Sequence, residues 1–135
     1  MRPILLDTCA ALWSVEGGLS AGAVAAIVEA DEAGVPVFVS PITAWEIGLL
    51  VARGRITLPI GAKRWFSSML DAGVQLAPLI PETLIDASFL PPPIHGDPAD
   101  RILAATAREH GYRLMTRDRP LLDYGAAGHL QVIAC

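Results

Sequence analysis

Apolar residues fall along the chain in short, mostly apolar runs separated by longer stretches of helical spacing. Ile4-Leu5-Leu6, Val35 to Val39, Val74 to Ala77, Arg113 to Thr116 and Leu130 to Ile133 are such runs, and each predicts a strand. Helices are predicted at about 20–33, 41–53, 61–72, 81–89 and 98–110, with a further one opening after Asp7. Strands alternating with helices make an α/β protein with a mostly parallel sheet covered on both faces. The runs do not alternate with polar residues, as suits strands buried on both sides. In sheets of this kind, sites form beyond the carboxyl ends of the strands.

Composition narrows the class. The 135 residues suit one domain, residues 1–135, since two cores would each be very small. With 53% hydrophobic and 18% charged residues, disorder is excluded. The longest run without Asp, Glu, Lys or Arg is Ala33 to Trp45, 13 residues, whereas a spanning helix needs about 20 apolar ones. Only three apolar residues separate Met1-Arg2-Pro3 from Asp7, which is not a signal-peptide pattern. Cys9 and Cys135 make no disulfide framework and fit a reducing cytoplasm, where Cys9 is expected to be a small buried hydrophobe. The net charge of -4 argues against nucleic acid only until the acids are placed. If bound metal neutralises four carboxylates, ten of the 14 acids face the 10 cations, and nine of those cations are Arg, which grips phosphate bidentately.

Four carboxylates stand where chemistry is expected. Asp7 closes the first strand in ILLDTCAALW, and a helix N-cap is its competing role. Glu46 is the only charged residue among the 20 from Ala33 to Ala52. Its helical neighbours Ile42, Thr43, Leu49 and Leu50 offer no cation, so it lies on an exposed strip or faces a site. In HGDPADRILAATA, Asp97 is the expected N-cap before Pro98, and Asp100 takes the third helical position. Capping accounts for Asp97 fully and for Asp100 in part, because Asp100 flanks the apolar stripe. Asp118 follows the strand RLMT, with a turn or cap before Pro120 as its alternative.

If the four converge, each pair about 4 Å apart repels by roughly 4 kcal/mol at an effective dielectric of 20. A divalent cation offsets that repulsion, and oxygen ligands favour Mg²⁺ or Mn²⁺ over zinc. The chemistry implied is phosphodiester hydrolysis.

These segments resemble the PIN domain of the VapC type, the toxin half of bacterial toxin–antitoxin pairs. ILLDTCAALW resembles the family's first strand with its acid, and SPITAWEIG the helix with its glutamate. HGDPADRILAATA is similar to the third motif and LMTRDRPLLDYG to the fourth. The resemblance covers essentially the whole chain. It implies a three-layer α/β/α sandwich and a Mg²⁺-dependent endoribonuclease (Mn²⁺ substituting) that acts in the cytoplasm. It further implies catalytic Asp7, Glu46, Asp100 and Asp118, with Asp7 and Asp100 as direct metal ligands and Asp118 direct or through water. Thr116 would orient the cluster, and Glu46 would be a second ligand or water-positioning base. The partners implied are RNA, an antitoxin on a separate chain, and a second copy of the chain. Ala99, where relatives carry an aromatic, and Cys9, where polar residues are common, depart from the pattern without removing an acid.

Arg101, Arg117 and Arg119 are candidates to grip RNA, with surface ion pairing as the alternative, and His95 is a candidate phosphate contact. Trp13, Trp45 and Trp65 are expected in the core or a partner interface. An aspartyl-nucleophile phosphatase would need a second Asp where Cys9 stands. A receiver domain would need an acidic pair after strand one, a phosphoacceptor Asp after strand three and a late Lys; here Asp7 stands alone, no Asp follows Val35 to Val39 or Val74 to Ala77, and the only Lys is Lys63. No Cys or His pair has zinc spacing. The non-enzymatic alternative is a PIN-like module that binds RNA or antitoxin without cutting; retention of all four acids argues against it.

Overall fold

The computed structural model describes residues 1–94 and 96–135, so the phosphate contact expected of His95 lies outside the described residues. Five parallel strands, β1 (Ile4–Leu6), β2 (Val37–Val39), β3 (Gln75–Leu76), β4 (Arg113–Thr116) and β5 (Gln131–Ala134), form one sheet in the order β3-β2-β1-β4-β5. The helices are α1 (Thr8–Glu16), α2 (Ala21–Glu32), α3 (Pro41–Ala52), α4 (Ala62–Asp71), α5 (Pro81–Asp86), α6 (Pro98–His110) and α7 (Arg119–Ala126).

Alternation along β1 builds the layers. Ile4 and Leu6 face one side, where they pack with Ala10, Ala23, Ala30, Trp65 and Met69 of α1, α2 and α4. Leu5 faces the other side, with Leu103, Ala107, Leu121 and Tyr124 of α6 and α7. Helix α3 gives Ile47 to the first cluster and Ile42 to the second. The result is a helix–sheet–helix sandwich. Every β1 side chain is fully buried, and each such residue contributes roughly 1.5–3 kcal/mol. Among the described residues no single helix is long and apolar enough to cross a membrane.

The strand order creates a switch point. The chain moves from β1 outward through β2 to β3, then returns to β4 on the other side of β1. The crevice beyond the C-terminal ends of β1 and β4 is where such sheets bind ligands.

Three expectations need correction. Residues 74–77 were expected as a buried strand, but β3 has only two residues, both exposed, because it is an edge with one neighbour. Helix α5 ends at Asp86, where three-residue turns (Ser88 N–H to Ile85 O, 2.9 Å; Phe89 N–H to Asp86 O, 3.0 Å) take over. Asp118, read as a turn or a helix cap, is the N-cap of a helix over residues 119–126 that was not among those predicted. Its first turn accepts Pro120, because the first N–H groups of a helix have no internal partner.

Gly125 of α7 lies directly over β5: a Cβ there would sit 2.6 and 2.8 Å from the two methyls of Val132. Val is stiff at χ1 and cannot swing away. Gly125→Ala is therefore expected to lower stability by about 1–2 kcal/mol despite its better helix propensity, read as a drop in the urea midpoint. Adding Val132→Ala should recover part of that loss.

Candidate active site

Residue 7 is the first position past β1, and its N–H donates to the Met115 carbonyl of β4 (3.0 Å). That bond ties the Asp7 backbone to the switch point. The Asp7 carboxylate is buried at 5% exposure and caps α1 by accepting from the Ala10 N–H at 2.7 Å. Thr116, the last residue of β4, is fully buried and hydrogen-bonds the same carboxylate. The Thr116 hydroxyl also accepts from the Asp118 N–H (3.0 Å), while Asp118 Oδ2 caps α7 through the Leu121 N–H (3.1 Å). One threonine thus joins the two strand-end acids, and both competing cap readings are correct without moving either acid from the crevice.

Glu46 projects from α3, whose N-cap Ser40 follows β2 directly. The Thr8 hydroxyl donates to its carboxylate and lies 3.4 Å from the Thr43 hydroxyl. Glu46 is half-buried and lines an open cleft of about 310 Å³ with Trp45, Leu49, Leu50, Arg53, Arg55, Asp97, Pro98 and Ala99. On α6, Asp97 is the N-cap (Asp100 N–H to Oδ1, 3.0 Å), and Asp100 sits one turn in, half-buried.

The electrostatics bind these pieces into one site. Burial pushes the Asp100 carboxyl up to about 8, reinforced by the charges of Asp97, Asp118, Glu46 and Asp7. Burial also raises Asp7, against the Thr116 and Ala10 hydrogen bonds that lower it, with Asp118 adding repulsion and Arg117 opposing it. Glu46 is raised by burial and by Asp97 and Asp7, with the Thr8 bond pulling the other way. Asp7, Glu46 and Asp118 therefore all lie within charge–charge range of Asp100, and Asp7 within range of Asp118 and Glu46. Among the described residues no three His, Cys, Asp or Glu side chains are grouped closely enough to hold a metal ion. The acids gathered here offer only oxygen donors, the kind that Mg²⁺ takes together with several waters.

The structure adds residues that the sequence reading passed over. Asp97, taken as a cap alone, contributes its charge to both Asp100 and Glu46. Thr8 and Thr43 form the hydroxyl shelf under Glu46; the available signal was their placement beside Asp7 and one helical turn before Glu46.

Other expectations fare differently. Arg117 donates to the Cys135 carbonyl (2.8 Å) and the Gly18 carbonyl (3.0 Å), and its guanidinium lies 3.5 Å over the Trp13 ring. It is a staple whose charge reaches Asp7. Arg119 pairs with Asp123 at 3.2 Å on the surface, and Arg101 donates to the Ala87 carbonyl at 2.9 Å. Trp65 is buried in the core, its indole N–H on Glu16, whereas Trp45 is 56% exposed on the cleft wall, which leaves it the partner-interface alternative. Cys9 is exposed, contrary to expectation, because its side of α1 turns toward the crevice where Asp7, Glu46 and Asp100 act on it. Its thiol, pushed up to about 11 first by desolvation and then by those acids, stays protonated and is a poor nucleophile.

A family model for the PIN domain matches residues 4–126. The chain belongs to the PIN domain family. Among curated relatives, this PIN domain is 39% identical over 126 residues to Ribonuclease VapC22 of Mycobacterium tuberculosis (strain ATCC 25618 / H37Rv), covering 92% of this chain and 93% of the relative. It is similar in fold to VapBC2 from Rickettsia felis, solved bound to a DNA fragment from their promoter. There the TM-score is 0.69 at 13% identity, with 98% of both chains covered. It is also similar to FitAcB from Neisseria gonorrhoeae (TM-score 0.57, 22% identity, 96% of both chains). A third likeness is to FitAB bound to an IR36 DNA fragment (TM-score 0.58, 22% identity, 97% of this chain and 94% of that one). At these identities the solved structures speak to the fold alone.

The Asp100 shift carries a sign. The folded chain holds a proton on Asp100 up to about pH 8, whereas an ordinary aspartate releases it near 3.8. A raised folded value means that stability from this group is present at acid pH and is lost as pH climbs between those limits. Asp7 and Glu46 are displaced in the same direction. In EDTA, Asp100→Asn is expected to melt above the wild type at pH above 8, with the gap closing toward pH 4. Thermal melts across that range check it.

Proposed function

We propose that this PIN domain is the toxin of a toxin–antitoxin pair, a divalent-metal-dependent endoribonuclease that hydrolyses RNA phosphodiester bonds at the acidic edge of its sheet. The observation that supports this most is the gathering of Asp7, Glu46, Asp100 and Asp118 from four elements onto the switch-point crevice. A bound cation would offset the mutual repulsion that adds to burial in keeping Asp7, Glu46 and Asp100 raised, and the donor set fits Mg²⁺, with Mn²⁺ as a substitute. Asp7 and Asp100 would hold the ion directly, and Asp118 directly or through a water. When bound, such a cation supplies Lewis acidity at a phosphate oxygen and lowers the pKa of water in its shell.

The remaining roles belong to the chain's own groups. Thr116 holds Asp7 and the Asp118 backbone in fixed relation, so the two acids approach substrate already oriented. Glu46, raised by burial and steadied by Thr8, positions the attacking water and takes its proton; a base with a value closer to neutral does this better than an ordinary glutamate. The protonated thiol of Cys9 takes no part.

In this reading the toxin works in the cytoplasm as a homodimer, held inactive by an antitoxin on a separate chain. Apolar residues left exposed, Val24 and Val28 on α2 and Leu84, Ile85 and Phe89 around α5, fit surfaces covered in such an assembly.

Purified, antitoxin-free protein incubated with total RNA and Mg²⁺ or Mn²⁺ is expected to yield discrete fragments, and EDTA to abolish them. Asp7→Asn keeps an N-cap as good as Asp and so should stay folded by circular dichroism. It should nevertheless lose roughly 1,000-fold or more in cleavage, the equivalent of several kcal/mol of transition-state stabilisation. Undiminished cleavage by the folded variant, or RNA that is bound but never shortened with either metal, would overturn the proposal.

A further inference from the structure

The cleft beside Glu46 has two ends of opposite charge. Asp97 acts on Glu46, so these acids mark one end, toward the sheet edge. Arg53, the C-cap of α3, lines the same cleft two turns beyond Glu46, about 10 Å along the axis at 1.5 Å of rise per residue, and Arg55 lines it from the turn just past the helix end. The two guanidinium groups differ from most other cations of the molecule. Arg2, Arg101, Arg108, Arg113, Arg117 and Arg119 all donate to carbonyls or pair with an acid. Arg53 and Arg55 are exposed and make no side-chain hydrogen bond or ion pair with any described residue.

The backbone nevertheless fixes where they stand. Helix α3 ends in a Schellman motif: the Gly54 N–H donates to Val51 O (3.0 Å) and the Arg55 N–H to Leu50 O (2.9 Å). Gly54 supplies the positive φ of 68° that this turn requires. A rigid turn therefore presents two uncommitted guanidinium groups to a water-filled cleft whose other end holds a catalytic acid. Trp45, 56% exposed on the same wall, offers a flat face of the kind on which a base stacks.

We propose that Arg53 and Arg55 form the phosphate-gripping wall of the substrate groove, holding the single-stranded RNA backbone a short way from the bond cut at Asp7 and Asp100. This rests on the ribonuclease reading and names the part of the chain that engages substrate beyond the reacting phosphate. The sign of the charge selects the occupant: a polyanion needs cations beside a metal-neutralised acidic site, and Arg matches phosphate with a planar donor fork.

The test measures binding of a labelled single-stranded oligouridine to an Asp7→Asn background in Mg²⁺ at several salt concentrations, beside cleavage of total RNA by the otherwise wild-type enzyme. Removing two phosphate contacts by Arg53→Ala with Arg55→Ala should reduce the slope of log affinity against log salt by about 1.4. Cleavage should show a raised KM with kcat little changed, and the Lys pair should restore most of the slope. An unchanged slope in the folded Ala pair, while the wild-type enzyme still cuts RNA, overturns this proposal alone. So does a double variant that binds RNA normally but has lost only its hold on a co-expressed antitoxin, which would assign the arginines to the protein partner. Wild-type protein that neither binds nor cuts RNA overturns the ribonuclease reading, and this inference with it.

Discussion

The half-buried carboxyl of Asp100 feels the charges of Asp97, Asp118, Glu46 and Asp7, and the loss of water around it sharpens each repulsion. No folded chain gathers acids this way through packing alone, because every apolar contact that brings α3 and α6 to the ends of β1 and β4 works against them. The arrangement persists because the acids are tied down locally. Asp7 and Asp118 cap helices, Thr116 joins them, and Thr8 holds Glu46. Each tie is a modest hydrogen bond, yet together they fix the positions that repulsion would otherwise loosen.

This is the usual conflict between stability and function in a concrete form. The crevice gathers like charges at the edge of a fold whose centre, Ile4 to Leu6, is fully buried. The core can carry that strain because it is independent of it. The two apolar clusters lie on the sheet's faces, while the acids lie beyond the sheet's edge. Substituting an acid relieves the crevice without touching the core, and on the proposed function this exchanges activity for stability.

Much of this was legible in the sequence because two signals are strong in a parallel α/β chain. Short apolar-centred runs marked β1 and β4, so the acids that follow them had to lie at the carboxyl edge. Glu46 was conspicuous as the one charge in a long uncharged stretch. The PIN family is borne out by the match over residues 4–126, and the layered parallel sheet by the strand order. What stayed hidden depends on long-range packing. Nothing local tells an edge strand such as β3 from a central one. Nor does it show that Arg117 reaches Gly18 and Cys135, or that Cys9 and Trp45 face outward. Asp97 was read as a cap and nothing more, since a cap explains it locally and its charge matters only once α3 lies beside it.

The central claim is that acids from four separate elements gather around a bound cation, with Asp7, Asp100 and Asp118 holding it and Glu46 beside it. Titration of isotopically labelled protein with substoichiometric Mn²⁺, followed by NMR, tests it directly, because the paramagnetic ion bleaches the amides nearest to it. The account predicts that signals of Asp7, Glu46, Asp100 and Asp118 disappear together and return with excess Mg²⁺, while those of α4 and β3 persist. Bleaching confined to one acid, or scattered over the surface acids outside the crevice, would contradict it.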